Sequence, residues 1–236
     1  MTQQEFEEHS GRTAFCLRHC LTSSLACLYH SAMRRHGTKL PRSFYSRPTL
    51  TVARQLLGLH LIHENSAGRQ IGRIVETEGY QGPQDLAAHS ARGRTRRTEV
   101  MFGPAGHAYV YLIYGMWDCL NVVTAAQGKP HAVLIRAIEP VQAIDNTTHG
   151  PGLLCRAMHI DRSLNGVDLT GETLWIERPE AFRKPKIMRS TRIGVDYAGD
   201  WAHKPWRFYD GNSPYVSTVT ATARRKALAS AAARRC

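Results

Sequence analysis

Two carboxylates and an aromatic ring share one face of a predicted strand. Residues 73–80 read Arg-Ile-Val-Glu-Thr-Glu-Gly-Tyr, and this β-branched, apolar composition is typical of a strand that enters a protein interior. Side chains alternate along a strand, so Glu76, Glu78 and Tyr80 point to the same side. A buried carboxylate costs free energy unless a partner compensates it, and two on one face repel each other. The pattern indicates either salt-bridged acids or an acid held in place for chemistry.

The spacing of the two acids leaves their roles open. Residues two apart on one face of a strand lie about 6–7 Å apart, which is compatible with the carboxyl pair of an inverting glycosidase. The alternative, which we favour, gives Glu76 a structural role in a salt bridge with Arg73 or Arg136. Glu78 is then the acid that would activate a water molecule.

Arginines near this strand point to an anionic ligand. One arginine lies in the middle of the apolar run 131–138, where it needs an acid or an anion as its partner. Four more form a cluster that is a solvated loop unless a neighbouring feature indicates binding. The arginine in the apolar run is Arg136. The cluster consists of Arg92, Arg94, Arg96 and Arg97.

A predicted hairpin carries apolar side chains at its tip. Two β-rich runs, residues 109–114 and 117–124, flank the dipeptide Gly-Met, which predicts a hairpin turn. Large apolar groups at a tip are unfavourable in water, so either the tip folds back onto the core or a partner covers it. The tip residues are Tyr114, Met116 and Trp117.

The elements that position these residues are mostly strands. Helices are predicted over 51–57 and 153–159, and residues 178–189 are predicted to be a loop. Short apolar runs separated by turns predict an α+β single domain with a mostly antiparallel sheet and few helices. The further strands are predicted at 59–64, 131–138 (ending at Glu139-Pro140), 174–177, 192–195 and 204–209.

The net charge of +12 is concentrated towards the chain ends. We predict a weakly ordered N-terminal extension over 1–44, one domain over 45–216 and a basic C-terminal tail over 217–236. The extension contains a possible short amphipathic helix, Leu21–Met33. No apolar run approaches the ~20 residues that span a bilayer, and the acidic N-terminus does not resemble a secretory signal. An intracellular protein without a membrane anchor is therefore predicted.

Possible metal ligands have the wrong spacing. The early cysteine-histidine group lacks the two close pairs of a zinc finger, and two later histidines do not fit the helical zincin signature. We therefore predict no metal, and the six cysteines are predicted to be free thiols. The early group consists of Cys16, Cys20, Cys27 and His30. The two later histidines are His60 and His63.

These features together favour DNA as the partner. Arginines that anchor phosphates, with an apolar wedge between base steps, are how minor-groove proteins kink DNA. An enzyme that acts on a base extrudes it and holds it between aromatic surfaces. Tyr80, His89 and Tyr111 would supply such surfaces beside Glu78.

The chain carries five long motifs: Glu-Thr-Glu-Gly-Tyr (76–80), Gly-Pro-x-Asp-x-Ala-Ala-His-Ser (82–90), Thr-x-Arg-Thr-x-x-Met-Phe (95–102), Tyr-Val-Tyr-x-Ile-Tyr-Gly-Met (109–116) and Val-Leu-Ile-Arg-Ala-Ile-Glu-Pro (133–140). They resemble the alkyladenine (3-methyladenine) DNA glycosylase family. Gly-Pro-Gly-Leu-Leu (150–154) and Lys-Pro-Trp-Arg-Phe-Tyr (204–209) extend the resemblance to roughly residues 42–217.

The resemblance implies a monofunctional enzyme of base-excision repair, with a curved sheet and a protruding hairpin that intercalates into DNA. Such an enzyme flips damaged purines of the 3-methyladenine class out of duplex DNA. It cleaves the N-glycosidic bond with water, as a monomer and without a cofactor. If bacterial, it would work in the cytoplasm or nucleoid; if eukaryotic, in the nucleus. The implied roles are Glu78 and Arg136 in catalysis, Tyr80, Ala87, His89, Tyr111 and Asn121 in the base pocket, Tyr114 and Met116 in intercalation, and Arg92, Arg94 and Arg97 on the DNA backbone.

Departures from the family pattern keep an alternative open. The segment 141–149 is shorter than is usual in the family, Leu153 occupies a position that is often basic, and Trp117 replaces a more usual tyrosine. The alternative is a catalytically impaired protein of the same fold that binds DNA lesions without excising them. A glycoside hydrolase that uses Glu76 and Glu78 is a third hypothesis, which the arginine cluster and the apolar hairpin tip disfavour.

Overall fold

The longest described strand runs through the middle of the sheet. The structure is a computed structural model that describes residues 37–66 and 68–217 of the chain. Within these two ranges, nine strands pair antiparallel in one sheet. They are β1 Thr38–Lys39, β2 His60–Asn65, β3 Gly68–Gln81, β4 Ala108–Ile113, β5 Trp117–Thr124, β6 His131–Gln142, β7 Leu174–Arg178, β8 Ile187–Ser190 and β9 Arg207–Asp210.

The sheet has one main path and one branch. Neighbouring strands follow the order β1-β7-β2-β3-β6-β5-β4. The branch consists of β9, which pairs with β3, and β8, which pairs with β9. β3 pairs with β2 along its first part and with β9 at Glu76–Glu78. Register shifts between Ile74 and Thr77 interrupt its pairing with β6 at the same place. Such bulges bend a strand and re-aim its side chains, so the two acids lie at the bend of β3.

Helix α2 (Thr49–Leu56) determines which face of β3 carries the acids. The Thr77 hydroxyl donates to the Ala53 carbonyl of α2 at 2.8 Å. A Cβ on Gly79 would lie only 2.6 Å from Leu50 Cδ2, so a side chain there would collide with the same helix. The opposite face is left to Glu76, Glu78 and Tyr80, as the alternation predicts. The helices are α1 Arg42–Tyr45, α2 Thr49–Leu56 and α3 Pro151–Ala157.

The predicted α+β fold with a mostly antiparallel sheet and few helices is confirmed. β4 and β5 form the predicted hairpin, and in residues 37–66 and 68–217 the helices together with four 3₁₀ segments lie in the connections. The main core lies between the sheet and the helices, with Val52, Leu56 and Leu154 among its fully buried side chains. The 3₁₀ segments are His89–Arg92, Glu99–Phe102, Arg162–Leu164 and Asp196–His203.

The prediction of a strand over 192–195 is wrong. The strand in this part of the chain is β8, which begins within the stretch 178–189 that was predicted as a loop and ends one residue beyond it. The N–H of Ile193 donates to the Glu78 carboxylate at 2.9 Å instead of to a neighbouring strand. Arg192 is held by a buried ion pair with Asp85. Partners distant in sequence thus replace the hydrogen bonds of a strand.

Two strand ends also differ from the prediction. β6 does not end at Pro140, because this residue lies opposite Gly72 at a register shift in the pairing with β3, where a missing N–H is tolerated. β9 begins at Arg207 and not at Lys204, because the 3₁₀ segment Asp196–His203 extends to the residue before Lys204.

The first described residues belong to the sheet. Thr38–Lys39 pairs with β7 and Leu40 is buried, although 1–44 was assigned to the extension. The predicted Leu21–Met33 helix and the early cysteine-histidine group lie outside the described residues, as does the tail after Ser217. The domain boundaries therefore stay predictions. No helix in the described ranges is long and apolar enough to cross a membrane.

Candidate active site

A cavity of about 360 Å³ lies where the end of β3 meets β4, β5, β6 and the start of α3. This volume is typical of small-molecule sites, which measure about 300–1,000 Å³. Arg136 and Tyr114 are part of its lining. The lining also includes every side chain predicted for the base pocket: Tyr80, Ala87, His89, Tyr111 and Asn121.

Aromatic rings form one wall of the cavity. Tyr109 and Tyr111 lie two residues apart on β4, and their ring centroids are 5.2 Å apart. His89 packs edge-on against Tyr111 with 4.4 Å between centroids, and its Nδ1 lies 3.1 Å from the Tyr109 hydroxyl oxygen. Tyr109 was not predicted as a pocket residue, although its spacing from Tyr111 on a strand would have indicated it. The wall offers flat apolar surface to a planar ring.

His89 is neutral at physiological pH. Its burial, and then the positive charges of Arg97 and Arg92, lower the pKa of His89 to about 4. A neutral imidazole has one N–H and one acceptor nitrogen, so it offers both kinds of hydrogen bond. It also adds no positive charge to the wall that a cationic ligand would meet.

The rest of the lining is largely apolar. Asn121 is buried on β5, and its Nδ2 donates to the Tyr109 carbonyl at 3.2 Å. Cys119, on the same strand, is a free thiol whose pKa is raised to about 11, chiefly by burial. Within residues 37–66 and 68–217, no group of three or more His, Cys, Asp or Glu is placed to hold a metal ion. For the whole chain, the absence of a metal or cofactor stays a prediction.

Glu78 is fully buried directly behind the cavity wall. The Tyr80 hydroxyl donates to its Oε2 at 2.8 Å, and the Ile193 N–H donates to its Oε1 at 2.9 Å. Arg136 Nη1 lies 3.5 Å from the same Oε1. All three partners line the cavity, so the carboxylate adjoins the ligand space through them.

The surroundings of Glu78 favour its neutral form more than water does. Burial raises the pKa of Glu78 above its usual range, although Arg136 and the hydrogen bonds from Tyr80 and Ile193 oppose the increase. Tyr80 keeps its proton, because burial and the charge of Glu78 hold its pKa well above that of an ordinary tyrosine. A carboxylate with a raised pKa at a cavity wall is a candidate general base.

Glu76 is equally buried but is surrounded by donors. Its Oε1 accepts from Arg207 Nε at 2.6 Å and from Arg136 Nε at 3.2 Å. Ser217 donates its N–H to Oε2 at 2.7 Å and its hydroxyl to Oε1 at 2.8 Å. The predicted salt bridge between Glu76 and Arg136 is confirmed, and the acid is bound into the protein.

Arg73, the other partner predicted for Glu76, forms different salt bridges. Arg73 is the last residue of β3 that pairs with β2, and the pairing of β3 with β9 begins at Glu76. The side chain of Arg73 therefore contacts the end of β9. There it pairs with Asp210 at 2.8 Å and with Glu139 at 3.3 Å. Arg207, the additional partner of Glu76, lies 131 residues further along the chain, and no local pattern indicates the pairing.

The hairpin tip is a tight turn with an exposed tyrosine. The Met116 N–H donates to the Ile113 carbonyl at 3.2 Å, and φ is positive at both central residues, 53° at Tyr114 and 70° at Gly115. This is a type I′ turn, which suits a hairpin but strains a tyrosine. Tyr114 is 81% exposed and Met116 is 70% exposed. A strained aromatic residue in water points to a ligand that covers the tip.

The clustered arginines are exposed but not equivalent. Arg94 donates to both oxygens of Glu99, at 2.9 and 2.5 Å, so its charge is already paired. The Arg97 guanidinium lies 5.2 Å from the centroid of the Tyr111 ring at the cavity wall. Arg92 follows His89 in the same 3₁₀ segment. Arg92 and Arg97 therefore place positive charge beside the cavity.

Comparison with known proteins identifies relatives over most of the chain. The profile of the methylpurine-DNA glycosylase (MPG) family matches residues 43–214. A protein of Legionella pneumophila (strain Corby) is 53% identical over 179 residues, which cover 76% of this chain and 98% of that protein. One from Methanocella arvoryzae is 53% identical over 193 residues, covering 75% and 95%, and one from Myxococcus xanthus is 51% identical over 189 residues, covering 79% and 97%. Each bears the name "Putative 3-methyladenine DNA glycosylase".

The matches agree with the motifs and with the site. They confirm the resemblance found in the sequence, and with it the predicted class of enzyme, a DNA-repair hydrolase that acts on N-glycosyl bonds. The aromatic cavity, the buried carboxylate beside it and the exposed hairpin tip all lie within the matched residues. The chain belongs to the methylpurine-DNA glycosylase family.

Proposed function

We propose that this protein excises damaged purines of the 3-methyladenine class from double-stranded DNA. The purine is flipped into the aromatic cavity, and water activated by Glu78 hydrolyses the N-glycosidic bond and leaves an abasic site. The observation that carries this proposal is the buried Glu78 carboxylate, held by Tyr80, Ile193 and Arg136 at the wall of that cavity. The protein acts as a monomer within the cell and needs no cofactor.

The cavity suits a planar cation. Alkylation at a ring nitrogen gives a purine positive charge, and aromatic faces attract cations. Tyr80 and Tyr111 offer such faces, and the low pKa of His89 keeps that ring neutral beside them. Asn121 lines the cavity, and its bulk would disfavour the exocyclic amine of guanine. These features support binding of a damaged purine in preference to a normal one.

Glu78 suits the hydrolytic step. The oxygen of water bonds to C1′ of the sugar while the bond between C1′ and the base nitrogen breaks. The electron pair of that bond leaves with the base and neutralises its positive charge, and Glu78 accepts a proton from the water. The carboxylate also stabilises the positive charge that develops on the sugar. Arg136 lines the cavity and contacts Glu78, so it would orient the carboxylate and the water.

The exposed features around the cavity suit duplex DNA. Tyr114, with Met116 beside it, would enter the gap that the flipped nucleotide leaves in the base stack. Arg92 and Arg97 would hold phosphates next to the cavity. Arg94 would contribute less than the other two, because Glu99 already pairs with it.

The test is single-turnover release of base from duplex DNA that contains one defined alkylated purine. Glu78→Gln is expected to reduce release about 10²–10⁴-fold, the usual contribution of a general base, while lesion binding is retained. Glu177→Gln is the control, because Glu177 is also buried but bonds Trp175 on β7. Near-normal release by Glu78→Gln would refute the assignment of the base.

The same assay decides between excision and lesion binding. The segment 141–149 is short, since β6 reaches Gln142 and α3 begins at Pro151. Thr148 closes the segment with a hydrogen bond from its hydroxyl to the Ile138 carbonyl. If the wild-type protein bound the lesion but released no base in a single turnover, the impaired lesion-binding protein would be the better description.

A further inference from the structure

A second buried ion pair lies close to Glu78 and has no part in the mechanism above. Arg192 Nη1 and Nη2 donate to the two carboxylate oxygens of Asp85 at 2.5 and 2.9 Å, and both side chains are 0% exposed. Burying two charges costs free energy that a pair recovers only with good geometry and further hydrogen bonds. Arg192 makes two of these, to the carbonyls of Gly79 at 3.0 Å and Trp201 at 2.9 Å.

Arg192 also fixes the ring of Tyr80. Its guanidinium lies 4.7 Å from the centroid of the Tyr80 ring and 5.1 Å from that of Trp206, so both rings pack on the same cation. The residue that follows it in the chain is Ile193. The Tyr80 hydroxyl and the Ile193 N–H are the two hydrogen-bond donors within 3.0 Å of the Glu78 carboxylate among the described contacts.

Asp85 orders the other side of the pocket. Its Oδ2 accepts from the Gln81 N–H and its Oδ1 from the Ala87 N–H, both at 3.1 Å. These bonds shape the turn that leads from the end of β3 to His89. One ion pair thus joins the chain segments that supply Tyr80, Ile193 and the Ala87–His89 wall, although Arg192 and Asp85 are 107 residues apart.

We infer that Arg192 and Asp85 are positioning residues for excision, which hold Tyr80 and Ile193 in hydrogen-bonding contact with Glu78. The inference rests on the function proposed above. Neither residue touches the reacting atoms. Their effect passes through the two donors, and misplacing catalytic groups by about 1 Å can cost about 100-fold in rate.

A pH readout separates positioning from mere support of the fold. Among the described residues, the charged and titratable groups around Glu78 are Arg136 on β6, Glu76 and Tyr80 on β3, Tyr111 on β4, and Arg207 on β9, whose guanidinium is bound to Glu76. The bonds from Tyr80 and Ile193 favour the ionised carboxylate. Loosening them raises the pKa of Glu78 further, so the acidic limb of the excision profile moves to higher pH.

A buried ion pair in the first half of β3 provides a matched control. Arg73 and Asp210 form an ion pair at 2.8 Å whose side chains are 6% and 3% exposed. Arg73 Nε, like Arg192 Nε, is buried and has no hydrogen-bond partner in the structure. This pair supports the sheet but contacts none of the cavity residues named above. Its disruption therefore costs stability without displacing the donors on Glu78.

The experiment compares full-length Arg192→Lys and Asp85→Asn with Arg73→Lys and Asp210→Asn. Single-turnover base release from duplex DNA with one alkylated purine is measured over a range of pH, together with DNA affinity and Tm. All four substitutions are expected to lower Tm. Arg192→Lys and Asp85→Asn are expected to slow release by about tenfold or more at neutral pH, with little change in affinity. Only these two displace the acidic limb to higher pH.

A double substitution tests the route of the effect. If Arg192 acts in part through Tyr80, Arg192→Lys costs less rate in a Tyr80→Phe background than in the wild type. If Arg192→Lys does not fold, Asp85→Asn decides, because asparagine keeps an oxygen for one of the two N–H groups and weakens the hold on Arg192. A wild-type pH profile and rate in the folded variants would overturn the inference. Failure of the proposed function would look different, since the wild-type protein would then release no base at any pH.

Discussion

Glu76 and Glu78 lie two residues apart on β3, are both fully buried and both contact Arg136, yet their surroundings differ. An ionised carboxylate has about four sites that accept hydrogen bonds. Glu76 accepts four bonds, from Arg207, Arg136 and twice from Ser217. Glu78 accepts two, and its contact with Arg136 is longer at 3.5 Å.

The difference explains how one strand holds two acids with different roles. A carboxylate that four hydrogen bonds hold, three on one oxygen and one on the other, is bound into the protein and has little capacity left for a substrate. A carboxylate with open sites beside a cavity favours its neutral form and can take up a proton. Only Glu78 meets the second description, and its partners line the cavity while Arg207 and Ser217 do not. Glu76 therefore lacks the free carboxyl at a ligand cavity that a glycoside hydrolase needs from its second acid.

The largest effect, a loss of folding stability, is expected from Glu76→Gln. The substitution leaves the buried guanidinium of Arg207 without its carboxylate, and breaking a buried pair in this way costs about 3–5 kcal/mol. The free energy of unfolding in urea measures the loss. Glu78→Gln removes a partly uncompensated charge and is expected to lose far less stability. If Glu78→Gln proved the less stable of the two variants, the contrast between the acids would be wrong.

Tyr80→Phe is expected to have an intermediate effect, which is a slower release of base. It keeps the aromatic wall but removes the hydroxyl that donates to Glu78, a hydrogen bond to a charged group of about 1.5–3 kcal/mol. Base release should fall by about 10- to 100-fold if the bond is needed equally in the transition state. Tyr109→Phe is the control, because its hydroxyl bonds His89 and not the acid. Equal losses in both variants would mean that the wall as a whole, and not the bond to Glu78, controls the rate.

Local patterns in the sequence predicted which residues share one face of β3 with the two acids. Alternation along 73–80 placed both acids and Tyr80 on one face, which was predictable because it depends on neighbours a few residues apart. The hairpin was predicted for the same reason, although its turn is centred on Tyr114 and Gly115, one residue earlier than the predicted dipeptide. The residues that the family resemblance implies for the base pocket line the cavity, and their roles there stay predictions.

The difference between the surroundings of the two acids could not be predicted, because it depends on contacts that no local pattern encodes. Arg207 and Ser217 reach Glu76 from 131 and 141 residues away. Arg192-Ile-Gly-Val has the composition of a strand, but the structure uses Arg192 for a buried ion pair and the Ile193 N–H for Glu78. Sequence reasoning assigned these residues to regular pairing because the acids that take their donors lie over 100 positions earlier.

The smallest effect expected from the comparison is a pH dependence of stability. Burial raises the pKa of Glu78 in the folded protein, so between the ordinary pKa of a glutamate and this higher value the folded state holds a proton that the unfolded chain has lost. The contribution of Glu78 to stability is therefore present at low pH and is lost as pH rises through that window, by at most about 1.4 kcal/mol per pH unit. The free energies of unfolding of the wild type and Glu78→Gln, measured from pH 4 to pH 8, should shift progressively in favour of the variant as pH rises. An unchanging difference would mean that Glu78 ionises in the folded protein as an ordinary glutamate does, and that burial does not raise its pKa.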